Sequence, residues 1–173
     1  MTWNKRAKQD LLGQPENIYS AALAYLTRRD YGVEELRQRL LLRGADPELT
    51  EDTIQRLLRQ KYLDDRRFAL GRVRQRREFN GRSRVFVRQE LRELGIDEEL
   101  IQQALDEAYQ PEQESELLEH LLRAELRRFP REGDSQQQRK ATASIQRRLA
   151  AKGFPPGEVY QTLRRLLDTL EEE

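Results

Sequence analysis

The chain has no cysteine and, among its 173 residues, a single tryptophan and a single histidine. Without cysteine there is no disulfide framework, no thiolate metal site and no thiol nucleophile, a composition that suits a reducing compartment. Long apolar runs are missing too. The longest, Ala21 to Leu26, falls far short of the roughly 20 residues that span a bilayer, and the N-terminus carries no signal-peptide apolar core. A cytoplasmic protein with no membrane contact is therefore expected. Catalytic signatures are absent as well: there is no glycine-rich phosphate loop and no histidine pair, and His120 falls in a leucine-rich helical stretch where a structural place is expected. Asp64 and Asp65 adjoin, but neighbouring acids at a helix start act as caps and dipole partners, and no third oxygen ligand is implied nearby. The expectation is no enzyme activity, no cofactor and no metal.

What the chain does contain is charge and helix formers. Asp, Glu, Lys and Arg make up 36% of it, as do the hydrophobic types, a low share for one compact core and a better match to small cores in series. Leu, Arg, Glu, Gln and Ala dominate while β-branched residues are few, so the fold class expected is all-α.

Residues 1 to 16 hold Lys5, Arg6, Lys8, Gly13 and Pro15 without sustained period and read as a mobile basic tail, with Trp3 as an exposed aromatic on it. Ile18, Ala21, Ala22, Tyr25 and Leu26 then follow helical spacing, as do Val33, Leu36, Leu40 and Leu41. Gly44 is placed to end that second helix in a left-handed conformation. Asp46, Pro47 and Glu48 supply a cap, a first-position proline and a first-turn acid for a third helix over about 47–61. The unit recurs. Leu36, Leu40 and Gly44 correspond to Val87, Leu91 and Gly95, then to Ile145, Leu149 and Gly153, at offsets of 51 and 58 residues without gaps. In the third helices Ile54 and Leu58 match Ile101 and Leu105, then Val159 and Leu163. Such spacing predicts an elongated row of three tandem three-helix repeats, 17–63, 64–110 and 111–170, followed by an acidic end, 171–173. Phe129 and Pro130 stop a leucine-rich helix, and the poorly patterned Gly133 to Gln138 is expected to be a mobile loop.

The first two repeats meet at Tyr62-Leu63-Asp64-Asp65-Arg66-Arg67-Phe68-Ala69. Tyr62 and Leu63 are expected to close the apolar face of Ile54, Leu57 and Leu58, and Asp64 to cap the next helix. That helix should carry Phe68, Ala69, Val73 and Phe79 on one side and Arg66, Arg67, Arg74 and Arg77 on the other. Ser83 is placed to cap the helix after it, where Arg84, Arg88 and Arg92 lie beside the core stripe. Between residues 66 and 92 ten arginines face two glutamates, a net charge of +8 on a chain whose total is +1. Concentration of this kind points to a polyanionic partner, and Arg67, Arg74, Arg77, Arg82, Arg84, Arg88 and Arg92 are the candidate binding residues. The bland alternative is a solvated helix face.

With the repeat in place, the chain resembles the RecX family of bacterial regulators of the RecA recombinase over about residues 18–168. The most specific part is Tyr62-Leu63-Asp64-Asp65-x-x-Phe68-Ala69. Glu35-Leu36-x-x-x-Leu40-x-x-x-Gly44, Arg88-Gln89-Glu90-Leu91-x-x-x-Gly95-Ile96 and Lys152-Gly153-Phe154 support it. The sequence departs from the family at Gly32, where a small hydroxyl residue is common. The resemblance implies a non-enzymatic protein that lies in the groove of the RecA–DNA filament and damps strand exchange and ATP hydrolysis by RecA. RecA filaments, and single- or double-stranded DNA through the basic middle repeat, are the partners implied, for a chain acting as a monomer. Two other readings of the residues stand beside it: a stand-alone DNA-binding protein in which Ser83 to Leu94 reads a groove, and a protein-only helical adaptor.

Small cores in a row make a chain longer than a sphere of equal mass. Small-angle scattering should give a radius of gyration clearly above the compact value of about 16 Å for this length; a value at that compact limit would contradict the row.

Overall fold

The computed structural model describes residues 14–130 and 134–171. Trp3, Lys5, Arg6, Lys8, Gly13, Gly133, Glu172 and Glu173 lie outside them. Among the described residues all regular structure is α-helical, in the order α1 (Pro15–Leu26), α2 (Val33–Leu41), α3 (Pro47–Arg59), α4 (Asp65–Asn80), α5 (Arg84–Glu93), α6 (Glu98–Ala108), α7 (Pro111–Leu126), α8 (Ser135–Ala150) and α9 (Pro156–Glu171). No helix among these residues is long and apolar enough to cross a membrane. Four proline starts, at α1, α3, α7 and α9, follow from the chemistry of the first turn, which has no use for a proline N–H. At α3 the Asp46 carboxylate also accepts from the amides of Glu48 and Leu49, at 2.9 and 3.1 Å.

The second helices end alike. Gly44, Gly95 and Gly153 have φ of 86°, 77° and 92°, and the amides of Ala45, Ile96 and Phe154 reach back to the carbonyls of Leu40, Leu91 and Leu149 at 3.1–3.2 Å. This is the Schellman closure, in which the residue after the glycine turns inward; Ala45, Ile96 and Phe154 are all buried. Register partners share a burial class: Leu36, Val87 and Ile145 are buried, as are Leu40, Leu91 and Leu149, and Ile54, Ile101 and Val159. At the next position the correspondence slips. Leu105 and Leu163 are buried but Leu58 is only half-buried, and Leu57 takes the core place beside Ile54.

Other expectations change at element ends. Tyr62 is 51% exposed; Leu63 alone joins the core of Ile18, Ala22, Leu36, Leu40, Ile54 and Leu57. Phe79, expected on the buried side of α4, is 81% exposed, because it sits on the last turn, beyond the stripe of Phe68, Ala69 and Val73. His120 lies on the exposed side of α7 rather than in its leucine core. Residues 135–138, expected in a loop, are the first turn of α8, capped by Asp134, which accepts from the Gln137 amide at 2.7 Å. The glutamines there are exposed or nearly so, so that turn carries no apolar period to read.

The chain divides into two compact units, one running up to Gly71 and including Leu91–Gln102, the other comprising Arg72–Glu90 and the residues from Gln103 on. Each contains one joint of the same design. In the first unit the carboxylate of Asp65, at the start of α4, accepts from the first amide of α2, that of Val33, at 2.8 Å. Gly95 meanwhile packs so closely on α2 that a Cβ there would sit 2.6 Å from the Cβ of Glu34. In the second unit the Glu114 carboxylate of α7 accepts from the first amide of α5, that of Arg84, at 2.8 Å. The Ser83 amide donates to the Lys152 carbonyl at 3.0 Å, and a Cβ on Gly153 would lie 2.5 Å from Ser83 Oγ and 2.6 Å from Phe86 Cβ. Thus a following first helix caps a second helix, and a glycine turn seats against the capped end. In register Gly32 stands where Ser83 stands one repeat later. Ser83 Oγ accepts from the Phe86 amide at 3.2 Å; Gly32 offers no side-chain cap.

Both joint carboxyls are about half-buried, and burial holds each above the ordinary carboxylate range against the opposing pull of the amide it accepts from. A carboxyl raised in the folded state contributes stability that is present below its unfolded value and lost as pH rises through the folded one. Asp65→Asn keeps an acceptor for Val33 and removes the buried charge, whereas Asp65→Ala leaves the amide unpaired at about 1–3 kcal/mol. Chemical denaturation from about pH 3 to about pH 7 should show Asp65→Ala as the weaker variant throughout and the parent losing ground to Asp65→Asn as pH rises. A parent that gains on Asp65→Asn with rising pH would contradict the buried, capping carboxyl.

Candidate functional site

The basic stretch occupies α4, the turn after it and α5. Its start is a helix cap: Asp64 Oδ1 accepts from the Arg67 amide at 2.9 Å. The two adjacent acids therefore serve different helices, Asp64 its own and Asp65 the neighbouring α2. Arg67 folds back on the end of α3, its guanidinium 3.4 and 3.2 Å from the carbonyls of Lys61 and Tyr62. Lys61 has φ of 60°, the left-handed place glycine takes elsewhere, and costs roughly 1–2 kcal/mol there. A charged donor on these carbonyls offsets part of that cost.

Further arginines do the same at other helix ends. Arg77 Nη1 donates to the Ala108 carbonyl at 2.6 Å and to Gln113 Oε1 at 2.7 Å. Arg84 Nη1 donates to the carbonyls of Tyr109 and, at 3.0 Å, Leu105, while Nη2 pairs with Asp106 at 2.7 Å. Two guanidiniums thus converge on the carbonyls at the end of α6, where the helix dipole is negative; of these, the Leu105 carbonyl also accepts from the Tyr109 amide at 2.8 Å. Arg82 Nη1 donates to the Ala151 carbonyl at the end of α8, 2.6 Å away, with its guanidinium 4.2 Å over the Phe86 ring. Its own carbonyl accepts from the Tyr109 hydroxyl at 3.0 Å, and burial pushes that phenol well above its usual pKa.

Arg76, outside the candidate set, makes a bidentate pair with Glu90, whose carboxylate holds the guanidinium pKa raised. The remaining candidates face outward to different degrees. Arg74 lies 3.5 Å from Glu107, with both side chains about half exposed. Arg92 pairs with Glu98 at 2.7 Å, again half exposed, and Arg88 is half-buried on α5. Exposed pairs of this kind are worth about 0–1 kcal/mol and exchange readily for an external partner. Of the seven candidates, Arg74, Arg77, Arg82, Arg84 and Arg88 fall in the second compact unit and Arg67 and Arg92 in the first.

Comparison with known proteins bears on this arrangement. Residues 19–57 match the model of the first RecX three-helix domain and residues 64–105 that of the second. The regulatory protein RecX of Trichlorobacter lovleyi is 37% identical over 78% of this chain and 88% of its own length. The chain belongs to the RecX family. A second relative, regulatory protein RecX of Geobacillus sp. strain WCH70, is 29% identical over 91% of this chain but only 56% of its own length. A crystal structure of regulatory protein RecX superposes with a TM-score of 0.69 at 26% identity, over 87% of this chain and 71% of that one. RecX from Lactobacillus salivarius gives 0.71 at 20% identity, over 88% and 96%, a likeness of fold. Both sequence relatives and the first of the two structures are named regulatory proteins, and repeated three-helix domains are the architecture of the family.

The RecX motif residues have separate structural tasks here. Leu63, Phe68 and Ala69 are buried, Asp64 and Asp65 cap, and Gly44, Gly95 and Gly153 end helices. Sequence reasoning missed Glu114 as the partner of the Arg84 amide, and the pairing of the Lys152 carbonyl with the Ser83 amide. Their one signal was the repeat itself, since a carboxylate capping Val33 in one joint calls for another facing Arg84 in the next.

Arg84→Ala removes hydrogen bonds from a charged donor to helix-end carbonyls and should cost about 1.5–3 kcal/mol, while Arg74→Ala should cost less than about 1 kcal/mol. Arg84→Lys should recover only part of the loss, since an ammonium cannot span the same acceptors. Urea denaturation gives the order, and an Arg74 loss equal to that of Arg84 would refute the division of the arginines made above.

Proposed function

We propose that this chain is a non-enzymatic, monomeric modulator of RecA that acts in the cytoplasm during recombination and DNA repair, binding in the groove of the RecA–DNA filament and damping strand exchange and ATP hydrolysis. The observation that carries the reading is membership of a family whose members are named regulatory proteins, resting on 37% identity across 88% of a relative's length. Repeated three-helix domains support it: a series of similar units presents similar surfaces at intervals, which suits a filament of identical subunits. Within the candidate set, Arg74, Arg88 and Arg92 are the residues proposed to meet DNA phosphates or acidic protein side chains, because Arg67, Arg77, Arg82 and Arg84 are engaged with backbone carbonyls.

The stand-alone DNA-binding reading has less support. A recognition helix brings its N-terminal residues to the base edges, and the N-terminal end of α5 is occupied: the Ser83 amide is bonded to Lys152, the Arg84 amide to Glu114, and the Arg84 side chain to the end of α6.

Strand exchange and DNA-dependent ATP hydrolysis by the cognate RecA, measured with this chain added below one copy per RecA, test the proposal. Both rates should fall. Unchanged rates in the presence of the folded chain would overturn it.

A further inference from the structure

The uncommitted arginines of the first repeat lie outside the +8 stretch. Arg39 on the last turn of α2 and Leu42 and Arg43, in the turn that continues it, are spaced i, i+3, i+4 and so share one face. The guanidiniums of Arg39 and Arg43 lie 5.9 and 5.6 Å from the ring centroid of Tyr25, on α1, and Arg43 Nη1 also donates to the Tyr25 hydroxyl at 3.3 Å. Arg28, one turn after Tyr25, is exposed. None of the three arginines has a carboxylate partner among the described residues. The acid one turn before Arg39, Glu35, is already held by Arg29, Nη1 to Oε2 at 2.9 Å, and Arg29 itself stacks 3.6 Å over Tyr31. The Tyr25 and Tyr31 rings meet edge-on at 5.7 Å. Between the cations Leu42 stands 84% exposed, the most exposed large apolar side chain among the described residues.

From this arrangement we propose that Arg39, Leu42 and Arg43 form a docking surface for an acidic protein surface that carries an apolar pocket. The charge calls for an acidic occupant, because Arg39 and Arg43 are gathered at one tyrosine ring and neither arginine has a carboxylate partner among the described residues. Cation–π contact holds both at little cost in side-chain freedom, which lowers the ordering cost of binding. Leu42 decides between a protein and a nucleic acid. A phosphodiester backbone would satisfy the guanidiniums and leave an isobutyl group in water, whereas an arginine-flanked apolar anchor beside tyrosine has the make-up of a protein–protein hot spot. Resting on the reading of the chain as a RecA modulator, the occupant is an acidic patch of RecA in the filament, and the contact is separate from the arginines of the middle repeat.

The test uses the full chain and three variants: Leu42→Asp, the double variant Arg39→Glu with Arg43→Glu, and Leu42→Ala as a milder control on folding. Each is compared with the parent for thermal unfolding, for binding to RecA filaments on DNA, and for binding to naked single-stranded DNA over a range of salt. Leu42 and both arginines are exposed, so unfolding should be little changed. Filament affinity should fall about tenfold or more for Leu42→Asp and for the double variant, and less for Leu42→Ala, while naked-DNA affinity and its salt slope stay as in the parent. If the double variant instead weakens naked-DNA binding and flattens the salt slope while Leu42→Asp does not, the surface is a phosphate site and the proposal is wrong. If the parent binds filaments and every variant matches it, the docking surface alone is refuted. A parent that does not bind filaments refutes the RecA reading and this inference with it.

Discussion

A helix whose first turn is buried against a neighbour must find partners for amides that water would otherwise satisfy, and that demand shapes this chain at both α2 and α5. The first amide of each is met by a carboxylate from the helix that opens the following repeat, Asp65 for Val33 and Glu114 for Arg84. The carboxylate is favoured there by the positive end of the helix dipole and opposed by the cost of its own burial. Once the caps are in place, the closing turn of the next second helix has a fixed seat. Only glycine fits Gly95 and Gly153, since each needs a positive φ and each touches its neighbour where a Cβ would collide.

The arginines follow from the same demand at the opposite helix ends. Carbonyls at the ends of α6 and α8 and in the turn just past α3 accept from the guanidiniums of residues 67, 77, 82 and 84. A guanidinium suits this task because its planar fork reaches two acceptors and never loses its charge. Much of the concentrated positive charge is therefore matched to helix-end carbonyls and to Glu90 within the chain. What remains facing outward is charge in weak pairs, such as Arg74 with Glu107 and Arg92 with Glu98.

How far the sequence could be read depended on whether the relevant interaction leaves a periodic trace. Apolar spacing and the glycine at the end of each second helix recur in register, so the helical class, the repeats and the family were legible from residues such as Leu36, Leu40 and Gly44. Backbone carbonyls leave no trace in a sequence, so Arg77 and Arg84 looked like candidates no different from Arg74. Element ends misled for a related reason. Phe79 keeps the azimuth of Phe68 but lies past the end of the buried stripe, Leu57 and Leu58 differ by one helical step, and the exposed glutamines that open α8 have no pattern to betray a helix.

Two first-turn amides, those of Val33 and Arg84, which would be open to solvent in an exposed helix, are sealed by carboxylates of the following helices. Amide hydrogen exchange of the native chain reads this directly. Val33 and Arg84 should exchange slowly, in the class of core amides such as Leu40 and Leu91, and Val33 alone should speed up in Asp65→Ala. Exchange of Val33 and Arg84 in the parent at the fast rate of exposed helix starts would contradict the account.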